Sequence, residues 1–117
     1  MKLLQLNAWG GRLENQLIDL LNSQQADFVC LQEVIDMRGH PAFFASVDIL
    51  ADAASYHNYF TSPVYSFNLF NRKATFGNSV LSKLPFEAKN TKFTRLEYKV
   101  DFDFSVHDYN VRNLQHV

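Results

Sequence analysis

The sequence predicts an α/β fold, and three patterns carry that prediction. Two short apolar runs, "LLQL" and "FVCL", flank a segment whose apolar residues recur at helical spacing. Strand, helix and strand in such quick succession make a βαβ unit over residues 2–33, with parallel neighbouring strands and a right-handed crossover. Late in the chain, Leu96, Tyr98, Val100, Phe102, Phe104 and Val106 alternate with polar residues, the period-two mark of a strand with one wet face.

Each element has its own reason. Lys2 to Asn7 is a short strand built on Leu3, Leu4 and Leu6. Gly10 and Gly11 then turn the chain, because glycine enters left-handed backbone without a Cβ clash. Leu13, Leu17, Ile18, Leu20 and Leu21 stripe one side of "RLENQLIDLLNSQ", which predicts an amphipathic helix. Asp27 to Gln32 is the second strand, and Glu33 ends it. After the loop "EVIDMRGH", Pro41 opens a helix at its first position. Phe43, Phe44, Val47, Leu50, Ala51 and Ala54 keep one apolar face along it.

Residues 56–70 carry six aromatics and predict one or two irregular strands split near Pro63. "ATFGNSVLSKLPF" holds a strand centred on Val80 and Leu81 and ended by Pro85. Beyond the alternating strand, His107 to Asn110 form a turn, and Val111 to Val117 start a returning strand.

Composition bounds the function. The chain has 117 residues, 47% hydrophobic and 20% charged, enough for one domain with a core. Three Pro and four Gly exclude a disordered or fibrous chain. A single cysteine, Cys30, allows no internal disulfide, and its apolar surroundings predict a buried, inert thiol. Trp9 is expected in the core, as aromatics usually are. "MKLLQLN" is too short for a signal peptide and no segment approaches a membrane span, so the expected location is cytoplasmic. The chain ends inside a predicted strand, and residues 1–117 are therefore expected to be a single partial domain truncated at its C-terminus.

Net charge is -1, which argues for no polyanionic partner. The charge is uneven: residues 71–99 hold seven basic and two acidic side chains. That block faces either an anionic substrate or simply solvent.

In a parallel sheet the carboxyl ends of neighbouring strands share an edge, and ligands bind there. Asn7 and Glu33 therefore stand side by side at one rim. A carboxylate at such a rim suits Mg²⁺, which takes oxygen ligands and is often held by one or two carboxylates plus substrate phosphate. An asparagine beside it donates to a phosphate oxygen or orients the carboxylate. The plainer alternative is a solvated loop glutamate and a turn-forming asparagine. Gly10-Gly11 lacks the spacing of a dinucleotide or nucleoside-triphosphate cradle, and the four scattered histidines form no metal-ligand pair.

"LNAWGGR", "DFVCLQEV" and "FGNSVLSKLPF", in this order and spacing, resemble the front half of the endonuclease/exonuclease/phosphatase superfamily. Its members include abasic-site endonucleases, pancreatic-type deoxyribonucleases, sphingomyelinases, deadenylases and inositol-polyphosphate 5-phosphatases. The ending "VRNLQHV" also looks like one of the family's central strands. The resemblance implies the front half of a two-sheet α/β sandwich and metal-dependent hydrolysis of phosphate esters. It implies Mg²⁺, with Mn²⁺ as the alternative ion. Glu33 matches the metal-binding glutamate, and Asn7 the asparagine that places phosphate and metal. Asn78, in "GN", falls near the substrate rim. The implied substrate is a phosphate ester in a nucleic acid, a lipid or an inositol phosphate.

The family's later residues, an Asp-x-Asn pair and a C-terminal Asp-His pair that activates water, match nothing before Val117; "HDY" at 107–109 has the wrong order. The expected function is thus the N-terminal part of a Mg²⁺-dependent phosphodiesterase or phosphatase, inactive alone. The alternative is a non-catalytic binding or interaction module on the same scaffold.

Overall fold

The computed structural model describes residues 1–37 and 44–88, together with the backbone of two strands at 90–95 and 112–116. Strand β1 (Leu3–Asn7) leads through a 3-10 turn (Trp9–Gly11) into helix α1 (Glu14–Gln24). Strand β2 (Phe28–Asp36), helix α2 (Val47–Ala53), strands β3 (Asn58–Leu69) and β4 (Arg72–Ser82), then β5 (Asn90–Arg95) and β6 (Arg112–His116) follow. The first four strands form one sheet in the order β1-β2-β4-β3, and β5 and β6 pair in a second. The β6 strand lies against β3 and β4.

The βαβ unit forms as the apolar runs predict. β1 and β2 are parallel, with Leu3 beside Phe28 and Asn7 beside Gln32. Leu17 and Leu21 of α1 are buried, whereas Leu13 and Leu20 stay exposed, so the helix buries a narrower stripe than its leucines allow. Gln25 ends it in a left-handed cap, its N–H donating to the Leu21 carbonyl.

Helix α2 begins later than its apolar spacing predicts. Pro41 to Phe43 lie outside the described residues, and Phe44 to Ser46 are not helical. The reason is a competing hydrogen bond. The Ala45 N–H donates to the Gly11 carbonyl at 2.9 Å, tying this segment to the turn after β1. The Ser46 hydroxyl accepts from the Met37 N–H at 3.2 Å. Val47, Leu50 and Ala51 then bury against Leu21, Val29, Leu31 and Leu81 in the main core.

β3 and β4 form a long hairpin rather than separate strands. Its two turn residues, Phe70 and Asn71, have φ of 51° and 58°, the left-handed pair that matches the twist of a two-residue hairpin. The break expected near Pro63 appears as a register shift between Pro63 and Tyr65. Gly77 sits opposite Pro63, where an added Cβ would overlap the Ser62 carbonyl oxygen. The alternating segment from Leu96 to Val106 and the turn at 107–110 lie outside the described residues, while β6 falls within the predicted 111–117 strand.

Tyr56 ties the end of α2 to the chain entering β2. Its hydroxyl donates to the Ala26 carbonyl at 3.0 Å in a buried setting. Burial, aided by the charge of Asp27, raises its phenol pKa. The neutral phenol is therefore the form the fold favours. Its contribution is complete below the unfolded pKa of about 10 and is lost as pH climbs through the higher folded value. Tyr56→Phe is expected to lower stability by about 1 kcal/mol at pH 7. It should also shrink the further loss between pH 9 and 11, read from urea melts of both proteins. An unchanged alkaline limb in the variant would remove Tyr56 as its source.

Candidate active-site rim

The site is built on the ends of the parallel pair. β1 stops at Asn7, and the Ala8 N–H closes the ladder by donating to the Gln32 carbonyl at 2.8 Å. β2 does not stop there. It continues to Asp36 because β4 pairs with its other edge. Glu33 thus lies inside β2, not at its end, and marks the carboxyl end of β1 instead.

At that point β2 carries a bulge. Leu31 pairs with Ser79 and Val34 with Gly77, so Gln32 and Glu33 together oppose the single residue Asn78. Glu33 has φ of +54°, left-handed backbone that a glutamate seldom adopts. Leu31 and Val34 both point into the helix-side core. The two bulged residues between them are turned to the opposite face. Asn7 pairs with Gln32, and Asn78 pairs with Ser62 of β3.

The three residues expected at the rim therefore fall in one row across three neighbouring strands: Asn7 on β1, Glu33 on β2 and Asn78 on β4. Sequence reading put the first two together through the βαβ rule. It placed Asn78 only through family likeness, and the antiparallel return of β4 is what brings it opposite Glu33. Ser62, fully buried at the far end of the row, was missed. No spacing signal links residue 62 to residue 33; only the β3–β4 pairing does.

Asn7 is also the turn former of the plainer reading. Its Oδ1 accepts the Trp9 N–H at 2.8 Å, which leaves Nδ2 as a donor at the rim. Glu33 is half-buried, and among the described residues its carboxylate makes no hydrogen bond or ion pair. Among the described residues no three His, Cys, Asp or Glu side chains cluster to hold a metal ion. The rim thus offers one carboxylate flanked by amides.

Two other expectations are corrected. Trp9 is 56% exposed, not in the core. Its own left-handed φ of 48° and the Asn7 hydrogen bond turn it outward, where the Arg12 guanidinium lies 5.5 Å over its ring. Cys30 is half-buried rather than buried, and burial still pushes its thiol pKa up, away from the reactive thiolate.

The site is thus a parallel strand pair with a carboxylate in left-handed backbone at its mouth, on an α/β sheet backed by helices. The chain belongs to the Endonuclease/Exonuclease/phosphatase family, whose model matches residues 4–113. That scaffold is the one of phosphoesterases and nucleases. Among solved structures, an endonuclease/exonuclease/phosphatase family protein from Leptotrichia buccalis C-1013-b is similar, with a TM-score of 0.56 and 19% identity. The likeness covers 97% of this chain and 47% of that one, so the chain spans about half the length of this structural neighbour. The shared fold is the family's two-sheet α/β sandwich, of which the β1–β4 sheet and the β5–β6 pair are parts. No curated protein sequence matches the chain significantly. Among the described residues no helix is long and apolar enough to cross a membrane.

Proposed function

We propose that this chain is the N-terminal part, residues 1–117, of a Mg²⁺-dependent phosphate-ester hydrolase of the cytoplasm. The observation that carries the reading is Glu33. A half-buried glutamate held at positive φ in a bulge costs about 1–2 kcal/mol of backbone strain. Such strain collects at functional sites, where the aim of one side chain matters more than local stability.

The residues fit a hard divalent cation. Glu33 offers carboxylate oxygens with no competing cation among the described residues, which suits Mg²⁺, or Mn²⁺ in its place. Bound there, the ion would neutralise charge on a phosphoryl group. The chain's own part is positioning. The Asn7 Nδ2 donates to a phosphate oxygen while its Oδ1 holds the turn. Asn78 sits opposite Glu33 and contacts the same phosphate from the β4 side.

A family-like Asp-His pair has no match in the sequence, so on this reading the group that takes a proton from water comes from elsewhere in the protein. This chain is therefore a rim that binds, not a complete hydrolase. The test is a Mg²⁺ titration followed through Trp9 fluorescence, on the wild-type chain and Glu33→Ala, with EDTA reversal. A saturable, EDTA-reversible change that Glu33→Ala abolishes is expected. Equal responses from both proteins would remove Glu33 as the ligand.

A further inference from the structure

Beside the rim lies an aromatic cavity that the phosphate chemistry does not use. It has a volume of about 640 Å³, and Phe44, Tyr65, Phe67, Phe70 and Phe76 line it, with Arg12 among its walls. Its place follows from the sheet. Ile35 pairs with Phe76, and Phe76 with Tyr65, making the next row on the face that carries the bulge residues. Glu33 and Ile35 are two residues apart on β2, and Asn78 and Phe76 two apart on β4. Side chains at that spacing share a face and stand roughly 7 Å apart. Gly10 covers Ile35, with only ordinary contact space between them.

We propose that this cavity takes the base of a nucleotide whose phosphate lies on the Asn7–Glu33–Asn78 row. The inference rests on the rim reading above and names its substrate class. The chemistry of the walls selects the ligand. Tyr65 and Phe76 stack with ring centres 5.1 Å apart and planes within 10°, so flat π surface is already organised there. Phe70, 58% exposed, forms the outer wall. Base stacking on such side chains is tolerant of sequence, and a planar guanidinium supplies donors to a base edge. Arg12, drawn over Trp9 at the cavity's edge, is that guanidinium. An inositol ring would meet few polar partners on five aromatic walls. An acyl chain would gain apolar burial on these walls but would leave the flat stacking geometry and the Arg12 donors unused.

The experiment is competition binding to the full chain in Mg²⁺ buffer, with adenosine 5′-monophosphate, ribose 5-phosphate and octyl phosphate as probes. Adenosine monophosphate is expected to bind at least about tenfold tighter than ribose 5-phosphate, which lacks only the base. Phe76→Leu keeps apolar volume and removes the ring, and should cut that advantage about fivefold or more. Phe70→Ser, at an exposed position, repeats the test should Phe76→Leu fail to fold. A single-stranded oligonucleotide outcompeting the mononucleotide assigns the cavity to a polymer, and the reverse to a free nucleotide. Equal affinity for the two sugar phosphates, absence of binding by both, or octyl phosphate binding as tightly as the nucleotide would overturn the proposal. Glu33→Gln separates the two readings. If it weakens ribose 5-phosphate while the base adds nothing, the cavity assignment falls and the rim stands. If the base advantage holds and Glu33→Gln changes neither probe, the rim falls and with it the nucleotide pose.

Discussion

Glu33→Gln, in a protein that joins this chain to the family's later Asp and His residues, is expected to lower phosphodiester hydrolysis by about 10²–10³-fold while leaving stability unchanged. Glutamine keeps the length and shape of glutamate but loses the charge. The bulge at φ +54° and its strain therefore persist, and only the electrostatic hold on a cation disappears. Removing one preorganised charge-stabilising group typically costs that range in rate. Glu33→Gly makes the complementary point. Glycine occupies left-handed backbone freely, which relieves about 1–2 kcal/mol of strain, and its extra unfolded-state entropy offsets roughly half to all of that gain. Stability should hold or rise by up to about 1 kcal/mol in urea melts, with activity as low as in Glu33→Gln. A clear loss of stability in Glu33→Gly would mean that Glu33 serves the fold, and full activity in Glu33→Gln would end its role as a metal ligand.

The second large effect concerns the turn that holds Asn7. Gly11→Ala is expected to destabilise the chain by about 3 kcal/mol or more, and Gly10→Ala by only about 1 kcal/mol. Both glycines have positive φ, 66° at Gly10 and 74° at Gly11, so both substitutions share the strain of left-handed alanine. Only Gly11 adds a collision, because its Cβ would overlap the Ala45 carbonyl oxygen, a backbone atom with nowhere to go. At Gly10 the nearest atom is a flexible Ile35 methyl 3.5 Å away. The comparison thus isolates the clash from the strain. The Ala45–Gly11 hydrogen bond links the turn to the segment before α2, so Gly11→Ala should also weaken Mg²⁺ binding at the rim. Thermal melts of the two variants give the stability difference, and equal losses would show that the close approach to Ala45 contributes nothing.

The strand–helix–strand frame beneath the rim is legible in the residues themselves. Leu3, Leu4, Leu6 and the "FVCL" run identify two strands, and the helix between them forces a parallel pairing, although β1 buries none of its residues fully and Leu3 is 62% exposed. The carboxyl-end rule pairs Asn7 with Glu33 from spacing, but it takes Glu33 as the end of β2, and the strand in fact runs on to Asp36. The exposure of Trp9 was not legible. Aromatic residues usually bury, and here one local hydrogen bond and a left-handed φ win over that habit. Nor was the start of α2, since its apolar face reads as helix well before Val47 while Ala45 is held by Gly11 across the fold. The β3–β4 hairpin was hidden for a related reason, because Phe70 is not a residue that announces a left-handed turn.

The residues alone carry the strand–helix–strand opening and the apolar stripe of the helix inside it. These depend on local periodicity and on side-chain chemistry, which travel with the residues. The bulge at Glu33, the row from Asn7 through Asn78 to Ser62, and the aromatic cavity on the same face were decided only in the tertiary structure. Each arises where β4 pairs with β2 on one edge and with β3 on the other, far along the chain from the rim glutamate. Register between distant strands is a property of the closed sheet, so no window of sequence contains it.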